Sequence, residues 1–340
     1  MRLRAHIASC WRASRRSAAC WRRRADDTAR DPYHRRKAMN IGMVGLGRMG
    51  GNMSERLRRG GHRVVSYDRD PDTRQAAAAS GCEVVDSLEG FVEALPAPRV
   101  VWVMVPSGNP TEATVAALGD VLESGDLVVD GGNSNYNDSM RRGESLRRKG
   151  IKMVDAGVSG GIWGLAEGYC LMVGGSEEAV ALVEPVFRTL APTPEKGYAH
   201  VGPLGSGHFV KMVHNGIEYG LMQAYAEGFE LMRAKQSFDL DVAQIAEIWR
   251  HGSVVRSWLL DLTAAALEED DSLSGIVPWV DDSGEGRWTV EESIELAVPL
   301  PVISMALQAR FRSRDETQFG FRLLAAMRNQ FGGHAVRRQS

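Results

Sequence analysis

The fold is decided by the stretch Ile41-Gly42-Met43-Val44-Gly45-Leu46-Gly47-Arg48-Met49-Gly50, in which a short apolar run leads into a glycine-rich turn. Residues 41–44 are typical of a buried strand, and the residues from 49 onward have helical periodicity. The spacing GxGxxG permits a tight turn, close approach of a pyrophosphate and close packing of the helix on the strand. The helix N-terminus favours phosphate electrostatically. The stretch therefore predicts a dinucleotide-binding turn.

The choice of dinucleotide depends on the end of the next strand. Asp68 follows the glycines by roughly 20 residues, where an acidic side chain can accept a hydrogen bond from a ribose 2′-OH. Arg69 beside it could instead face a 2′-phosphate. Because Asp68 would repel a phosphate, the sequence favours NAD over NADP. The predicted cofactor contacts are Gly45, Leu46, Gly47, Arg48, Met49, Gly50, Asp68, Arg69, Val105, Pro106, Ser107 and Asn133.

From residue 40 the chain alternates apolar runs with helical stretches. The predicted strands are 41–44, 63–67, 100–105, 127–129, 152–154, 169–173 and 198–201. Helices predicted between them include 49–59, 111–122 and 177–190. This alternation predicts an α/β fold with an N-terminal, doubly wound, Rossmann-type parallel sheet covered on both faces.

After Gly205 the strand signals stop, and an all-α C-terminal domain is predicted. Its helices are 207–235, 240–268, 290–312 and 316–331. Pro299 and Pro301 predict a kink or break in the third of these. The expected organisation is therefore an NAD(P)-binding domain over 39–205 and a helical substrate and oligomerisation domain over 206–340.

The basic N-terminus contrasts with the rest of the chain. Residues 1–38 carry eleven Arg and one Lys against three Asp, or +9, which leaves 29 basic and 40 acidic residues, or −11, elsewhere. The extension fits a disordered tail, an organelle transit peptide or translated upstream sequence before a start at Met39, and the last is favoured. Because the chain after residue 38 is this acidic, we expect no nucleic-acid partner.

Composition predicts a cytoplasmic protein. Hydrophobic residues make up 44% and charged residues 25% of the 340-residue chain, as in globular proteins. No apolar run reaches the roughly 18 residues that a membrane span needs. The cysteines form no CxxC pair, which favours a reducing compartment and a protein without disulfides or a metal site.

Three polar loops follow predicted strands at the edge where ligands bind in open α/β sheets. They are 105–108 (Val-Pro-Ser-Gly), 130–134 (Asp-Gly-Gly-Asn-Ser) and 155–161 (Asp-Ala-Gly-Val-Ser-Gly-Gly). The third offers backbone N–H groups and one hydroxyl, which suit an anionic substrate such as a carboxylate.

The predicted helix at 207–235 carries the reactive groups. Lys211, His214, Asn215, Glu218 and Tyr219 fall within an arc of about 140°. A lysine and a carboxylate two turns apart, with an imidazole and an amide between them, suit proton transfer. An ordinary solvated face is the alternative, but it is usually more densely charged.

Three arginines lie in glycine- or aromatic-rich settings of the helical half. They are Arg287, Arg310 and Arg328. Guanidinium groups bind phosphate in a bidentate manner, so these residues would suit a phosphate-bearing substrate.

The motifs Lys211-x-x-His214-Asn215-x-x-Glu218-Tyr219 and 155–161 together resemble those of the 6-phosphogluconate dehydrogenases, over about residues 40–334. The resemblance implies oxidative decarboxylation of 6-phosphogluconate to ribulose 5-phosphate and CO2 in the pentose phosphate pathway, with NAD or NADP as the oxidant. It implies that Lys211 is the general base and that Glu218 protonates carbon 1 of the enediol. The substrate contacts that it implies are Asn133, Ser159, Gly160, Gly161, His214, Asn215, Tyr219, Arg287, Arg310, Arg328 and His334.

The sequence departs from the longer family members. They have lysine where Arg287 stands and carry a second helical half, so the chain is similar to the short form, which often prefers NAD. In the family the tail arginine and histidine, here Arg328 and His334, reach the site of a neighbouring subunit. The resemblance therefore implies a homodimer or homotetramer.

Two alternative functions remain at this point. A 3-hydroxyisobutyrate-type dehydrogenase or reductase would share the glycine loops and the lysine, but should have Asn-Asn where this chain has His214-Asn215. A nucleotide-sensing Rossmann protein without catalysis is the second, although the presence of both Lys211 and Glu218 argues against it.

Overall fold

The computed structural model describes residues 38–332 and 335–337, with no side-chain description for 331 and 332. Nearly all of the predicted basic extension, residues 1–37, and the predicted substrate contact His334 lie outside the described residues.

The strands form one sheet. They are β1 (Asn40–Val44), β2 (Arg63–Tyr67), β3 (Glu83–Val84), β4 (Val100–Val103), β5 (Leu127–Asp130), β6 (Lys152–Ser159), β7 (Cys170–Gly174) and β8 (Tyr198–Gly202). The spatial order is β3-β2-β1-β4-β5-β6-β7-β8, so its first six members have the order of a dinucleotide-binding sheet. The prediction of an N-terminal doubly wound sheet followed by helices is confirmed.

The sheet is mostly parallel, as predicted, but one pair of strands departs from the prediction. β6 and β7 run antiparallel, with Asp155 opposite Gly174 and Ser159 opposite Cys170, while β7 and β8 are again parallel. The reason is that the connection from β6 to β7 is too short for a crossover helix that packs on the sheet. The chain therefore turns back at the ligand-binding edge.

Helices cover the sheet as predicted. They are α1 (Arg48–Arg59), α2 (Pro71–Ala79), α3 (Leu88–Glu93), α4 (Asn109–Val121), α5 (Tyr136–Arg147), α6 (Gly164–Glu167) and α7 (Glu177–Leu190). Every residue of β4 and β5 is buried, as expected for central strands with helices on both faces. Trp102 on β4 packs edge-on against Phe187 on α7, with the ring centroids 5.9 Å apart.

The remaining described segments are helical. They are α8 (Ser206–Ala234), α9 (Val242–Trp249), α10 (Trp258–Glu269), α11 (Glu285–Glu295), α12 (Pro301–Ser313) and α13 (Phe319–Gly332). The prediction of a single helix over 240–268 is wrong, because a break separates α9 from α10, whereas the predicted break within 290–312 is confirmed. The second break lies at the predicted prolines, and Pro301 occupies the first turn of α12, where its missing N–H costs nothing.

One short strand was missed, and one further prediction is corrected. The short strand β3 was not predicted, since two residues carry no periodic signal. Residues 155–159 were predicted to form a loop but belong to β6, because the glycine in this segment serves close packing rather than a turn.

Helix α8 is anchored to the sheet at its start. The buried carboxylate of Asp155 accepts hydrogen bonds from the backbone N–H groups of Gly205 and His208, each at 2.7 Å. A Cβ on Gly157 would overlap the side chain of Lys211, and one on Gly207 would overlap the carbonyl oxygen of Met172. These glycines therefore bring the first turns of α8 directly onto β6 and β7.

The far part of α8 packs on other helices. Phe229 joins residues of α9 and α10 in a small core, and Tyr219 packs with Ala306 and Leu307 of α12. Both described cysteines, Cys82 and Cys170, are free thiols. None of the helices described is long and apolar enough to cross a membrane.

Candidate active site

A cleft of about 1280 Å³ lies between the carboxyl ends of the strands and the flank of α8. One wall is the turn from β1 to α1 with the loops after β4, β5 and β6, and the opposite wall is α8 with the start of α10. The predicted site residues that line it are Gly47, Arg48, Met49, Gly50, Val105, Pro106, Asn133, Ser159, Gly160, Gly161, Lys211, His214, Asn215 and Glu218. The structure thus brings most of the predicted site together.

The glycine turn fits a dinucleotide. Gly45 has a φ of +96°, and a Cβ on Gly50 would overlap the carbonyl oxygen of Gly45, so only glycine permits so tight a turn. Among the residues described, a Cβ on Gly47 would meet nothing within 4 Å, and the N-terminus of α1 has no side-chain cap. The first N–H groups of α1 line the cleft and are left for a ligand such as a pyrophosphate.

Asp68 fixes the back of this turn. One carboxylate oxygen accepts a hydrogen bond of 2.7 Å from the N–H of Leu46, and the other accepts one of 2.9 Å from the N–H of Asp70. Arg74 donates to the carbonyl oxygen of Asp68 at 2.8 Å, whereas the predicted contact Arg69 is exposed. Neither Asp68 nor Arg69 lines the cleft itself, and nor do Gly45, Leu46 and Ser107.

A buried ion pair supports the loop after β5. Asp130 accepts from the hydroxyl of Ser134 at 2.9 Å and pairs with the buried guanidinium of Arg142 at 3.2 Å. In the same loop, Asn133 has a φ of +50°. Its side chain accepts a hydrogen bond of 2.8 Å from the N–H of Val158 and donates one of 3.1 Å to the carbonyl oxygen of Val158. The predicted ligand contact Asn133 therefore also joins the loop after β5 to the end of β6.

Lys211 lies at the centre of the α8 wall and is only 5% exposed. Its stem crosses β6 at Gly157, and its ammonium group donates a short hydrogen bond to Oδ1 of Asn215. Burial lowers the pKa of Lys211, while the carboxylates of Glu285 and Glu218 act in the opposite direction. A lysine with a lowered pKa can act as a general base.

Asn215 is the centre of a hydrogen-bond network. Its amide nitrogen donates a short hydrogen bond to Glu285, whose carboxylate also accepts from the hydroxyl of Ser283 at 2.8 Å. The N–H of Ser283 donates to the hydroxyl of Tyr219 at 3.0 Å. The polar face predicted for residues 211–219 is therefore partly buried against the start of α11 rather than solvated.

His214 and Glu218 are more accessible. Nδ1 of His214 lies 2.9 Å from Oδ1 of Asn215 and 3.9 Å from the carboxylate of Glu218. Because Asn215 offers an oxygen, the hydrogen bond requires the proton on Nδ1 of the imidazole. Both side chains line the cleft, so each can contact a ligand directly.

The predicted arginines separate into different environments. Arg310 stacks over the ring of Tyr219, 3.6 Å from its centroid. Arg287 instead forms an ion pair of 2.6 Å with Asp282, and hydrogen bonds from Arg287 and Arg314 lower the pKa of that carboxyl to about 2. Arg328 is exposed on α13. Tyr219 and the three predicted arginines are absent from the cleft lining.

Sequence reasoning missed part of the site. Glu285 and Ser283 were not singled out, although they lie beside the predicted Arg287, because their contact with α8 spans about seventy residues. The apolar wall of Ile162, Trp163 and Trp258 was also missed, since isolated large apolar residues carry no site signal. Within the described part of the chain, no group of three or more His, Cys, Asp or Glu side chains is placed to hold a metal ion.

Comparison with known proteins agrees with this geometry. Residues 40–202 match the NAD-binding domain of 6-phosphogluconate dehydrogenase, and residues 207–319 match the C-terminal domain of that enzyme. The chain is 44% identical over 301 residues to YqeC of Bacillus subtilis, named provisionally as a 6-phosphogluconate dehydrogenase, and the match covers 88% of this chain and 100% of the relative.

Two further proteins extend the comparison. An NAD(+)-dependent, decarboxylating 6-phosphogluconate dehydrogenase of Haloferax volcanii is 43% identical over 302 residues, which cover 88% of this chain and 99% of the relative. The structure of Plasmodium falciparum 6-phosphogluconate dehydrogenase matches with a TM-score of 0.76 at 27% identity, covering 88% of this chain and 66% of that one. The chain thus belongs to the 6-phosphogluconate dehydrogenase family, in its short form.

Proposed function

We propose that the protein oxidises and decarboxylates 6-phospho-D-gluconate to D-ribulose 5-phosphate and CO2 with reduction of NAD(P), and that NAD is the preferred oxidant. The observation that carries this proposal is the buried Lys211, which faces the glycine turn across one cleft. The proposal is supported by two relatives named as 6-phosphogluconate dehydrogenases, the first of them provisionally, which are covered over 100% and 99% of their lengths.

Lys211 performs the first proton transfer. When bound, NAD(P) supplies the hydride acceptor for carbon 3 of the substrate. The neutral amine of Lys211 takes the proton of the 3-hydroxyl as that hydride leaves, because burial favours the uncharged amine. The resulting ammonium group then polarises the new carbonyl oxygen, which assists loss of CO2 from the β-keto acid.

Glu218 handles a second proton. Its carboxyl group lines the cleft about two turns along α8 from Lys211, so it can protonate carbon 1 of the enediol that decarboxylation leaves. His214, Asn215, Asn133 and the loop at 159–161 would hold the sugar acid. Arg310, which stacks on Tyr219, would hold the phosphate end, while Arg287 would need to exchange Asp282 for phosphate.

The cofactor preference is argued from charge. The carboxylate of Asp68 is fixed by two backbone N–H groups beside the glycine turn, where a 2′-phosphate would be repelled. No metal is needed for the proton transfers described, so we propose that chelators leave the activity intact.

The proposed organisation is an NAD(P)-binding domain over 39–205, a helical substrate domain over 206–340, and an oligomer in which the C-terminal tail completes a neighbouring site. Support for the oligomer comes from large apolar side chains exposed on α11 to α13, among them Ile294, Val302, Met305 and Phe321. Light scattering gives the mass in solution, and truncation after Gln330 should raise the KM for substrate. A truncated protein with unchanged KM would contradict the role of the tail.

The purified protein tests the reaction directly. Formation of NADH or NADPH and release of CO2 are followed with 6-phosphogluconate and, in parallel, with 3-hydroxyisobutyrate. We expect turnover of the first, a higher rate with NAD, and no effect of EDTA. Oxidation of 3-hydroxyisobutyrate without turnover of 6-phosphogluconate would favour the alternative dehydrogenase, and binding of NAD without either activity would favour a nucleotide sensor.

A further inference from the structure

Glu285 is a buried carboxylate that the reaction described above does not use. It stands at the first residue of α11 and is 6% exposed. Oε2 accepts from Ser283 and Asn215, whereas Oε1 is buried and has no hydrogen-bond partner among the residues described. Burying a carboxylate with an unpartnered oxygen costs free energy unless a nearby cation compensates.

That cation is Lys211. The amide of Asn215 accepts from the lysine at Oδ1 and donates to Glu285 at Nδ2, so one side chain joins the two charged groups. The other ionisable groups that act on Lys211 are Glu218 and Cys170, and His214 contacts the same Asn215 oxygen. Since Glu218 is partly exposed, solvent screens its charge more than that of Glu285.

We propose that Glu285 is a positioning residue for Lys211: through Asn215 it fixes the lysine amine at the cleft and places a buried negative charge one side chain away from that amine. This inference rests on the proposed function, in which Lys211 first accepts a proton and then returns it.

The two influences on Lys211 are opposed. Burial lowers the pKa of Lys211, and the Glu285 carboxylate raises it. A group that serves first as a base and then as an acid works best when its pKa lies near the operating pH. Without the carboxylate, the pKa of Lys211 would be lower, so the lysine would hold less firmly the proton that it needs in the second step.

The experiment measures the pKa of Lys211 with and without the charge of Glu285. The chain contains only six lysines, so ¹³C at the lysine Cε gives few signals, and Lys211→Met identifies the one from Lys211. Glu285→Gln keeps an oxygen acceptor for Asn215 and removes the charge. We expect the pKa of Lys211 to fall in this variant, because the carboxylate that raises it is gone. The acid limb of the kcat/KM profile should move to lower pH by the same amount.

The matched control is Glu295→Gln, which removes an exposed charge at the other end of the same helix. It should leave both measurements unchanged. An unshifted Lys211 titration in folded Glu285→Gln would overturn the proposal. If that variant fails to fold, the Lys211 titration is compared in Glu285→Asp and Glu285→Ala. The aspartate variant retains the charge, so the pKa of its Lys211 must lie closer to that of the wild type. Equal titration of the two would also overturn the proposal.

The two proposals can fail separately. If the wild-type protein does not turn over 6-phosphogluconate, the proposed function is wrong, but the Lys211 titration still reports the effect of Glu285 on the lysine. If turnover is present and the titration is unshifted, only the role of Glu285 is wrong.

Discussion

The two walls of the cleft are built in different ways. The wall at the β1–α1 turn is made of backbone, and the contact that fixes it, from Leu46 to Asp68, spans 22 residues. The α8 wall is made of side chains around the buried Lys211 and Asn215, and the contact from Asn215 to Glu285 spans 70 residues. The shape of the first wall is set by the positions of its glycines. The second wall is held by hydrogen bonds and charges between residues that lie far apart in the sequence.

The largest expected effect is on the side-chain wall. Lys211→Met retains the length of the buried stem and removes the amine, so turnover should fall by about a thousandfold or more. Cofactor affinity should remain nearly unchanged, because the substitution does not alter the glycine turn between β1 and α1. Steady-state kinetics and a titration of NADH fluorescence measure the two quantities, and an unaffected turnover rate would refute the assigned role of the lysine.

Gly50→Val tests the backbone wall. Its Cβ would overlap the carbonyl oxygen of Gly45, so the turn must shift, and we expect a loss of about 3 kcal/mol in the free energy of unfolding. The comparison variant is Gly47→Ala, whose added methyl group meets no protein atom and enters the cleft. It should weaken cofactor binding at normal stability. Chemical denaturation and cofactor titration of both variants separate packing from binding.

Asp155→Ala removes the anchor beneath the α8 wall. Two buried backbone N–H groups at the start of α8 lose their acceptor, and the expected destabilisation is about 2 kcal/mol. Asp72→Ala, at an exposed carboxylate of α2, is the control and should change stability little. Thermal unfolding measures both. If Asp155→Ala is as stable as the control, the carboxylate does not anchor the helix.

The smallest expected effect concerns cofactor choice. Asp68→Asn removes the charge that would repel a 2′-phosphate, and the ratio of kcat/KM for NADP to that for NAD should rise about tenfold, or by about 1.4 kcal/mol. Kinetics with both cofactors give the ratio. No change would mean that Arg69 or another neighbour decides the preference, and Arg69→Ala would then identify it.

The sequence predicted the local features of this molecule well. The strand at Arg63–Tyr67 and the helix at Glu177–Leu190 were predicted at their observed bounds, because periodic apolar residues end at clear glycine or polar signals. Most of the predicted site residues also line one cleft, since the carboxyl ends of parallel strands meet at one edge.

The failures concern relations between distant segments. The direction of β7 depends on how the chain returns from β6, which no local pattern encodes. Gly157 suggested a loop, but its absent side chain makes room for Lys211. Glu285 was passed over beside Arg287 because its importance comes from Asn215, on another helix. The role of such residues can be recognised only from the folded structure, in which the helices are in contact.

The uninterrupted course of α8 has a mechanical consequence. Its 29 residues correspond to about 44 Å of continuous helix, from the Asp155 anchor on the sheet to the packed helices around Phe229. A single stiff rod therefore joins the two halves, and it carries no proline to act as a pivot. A swing of one half against the other would have to bend this helix.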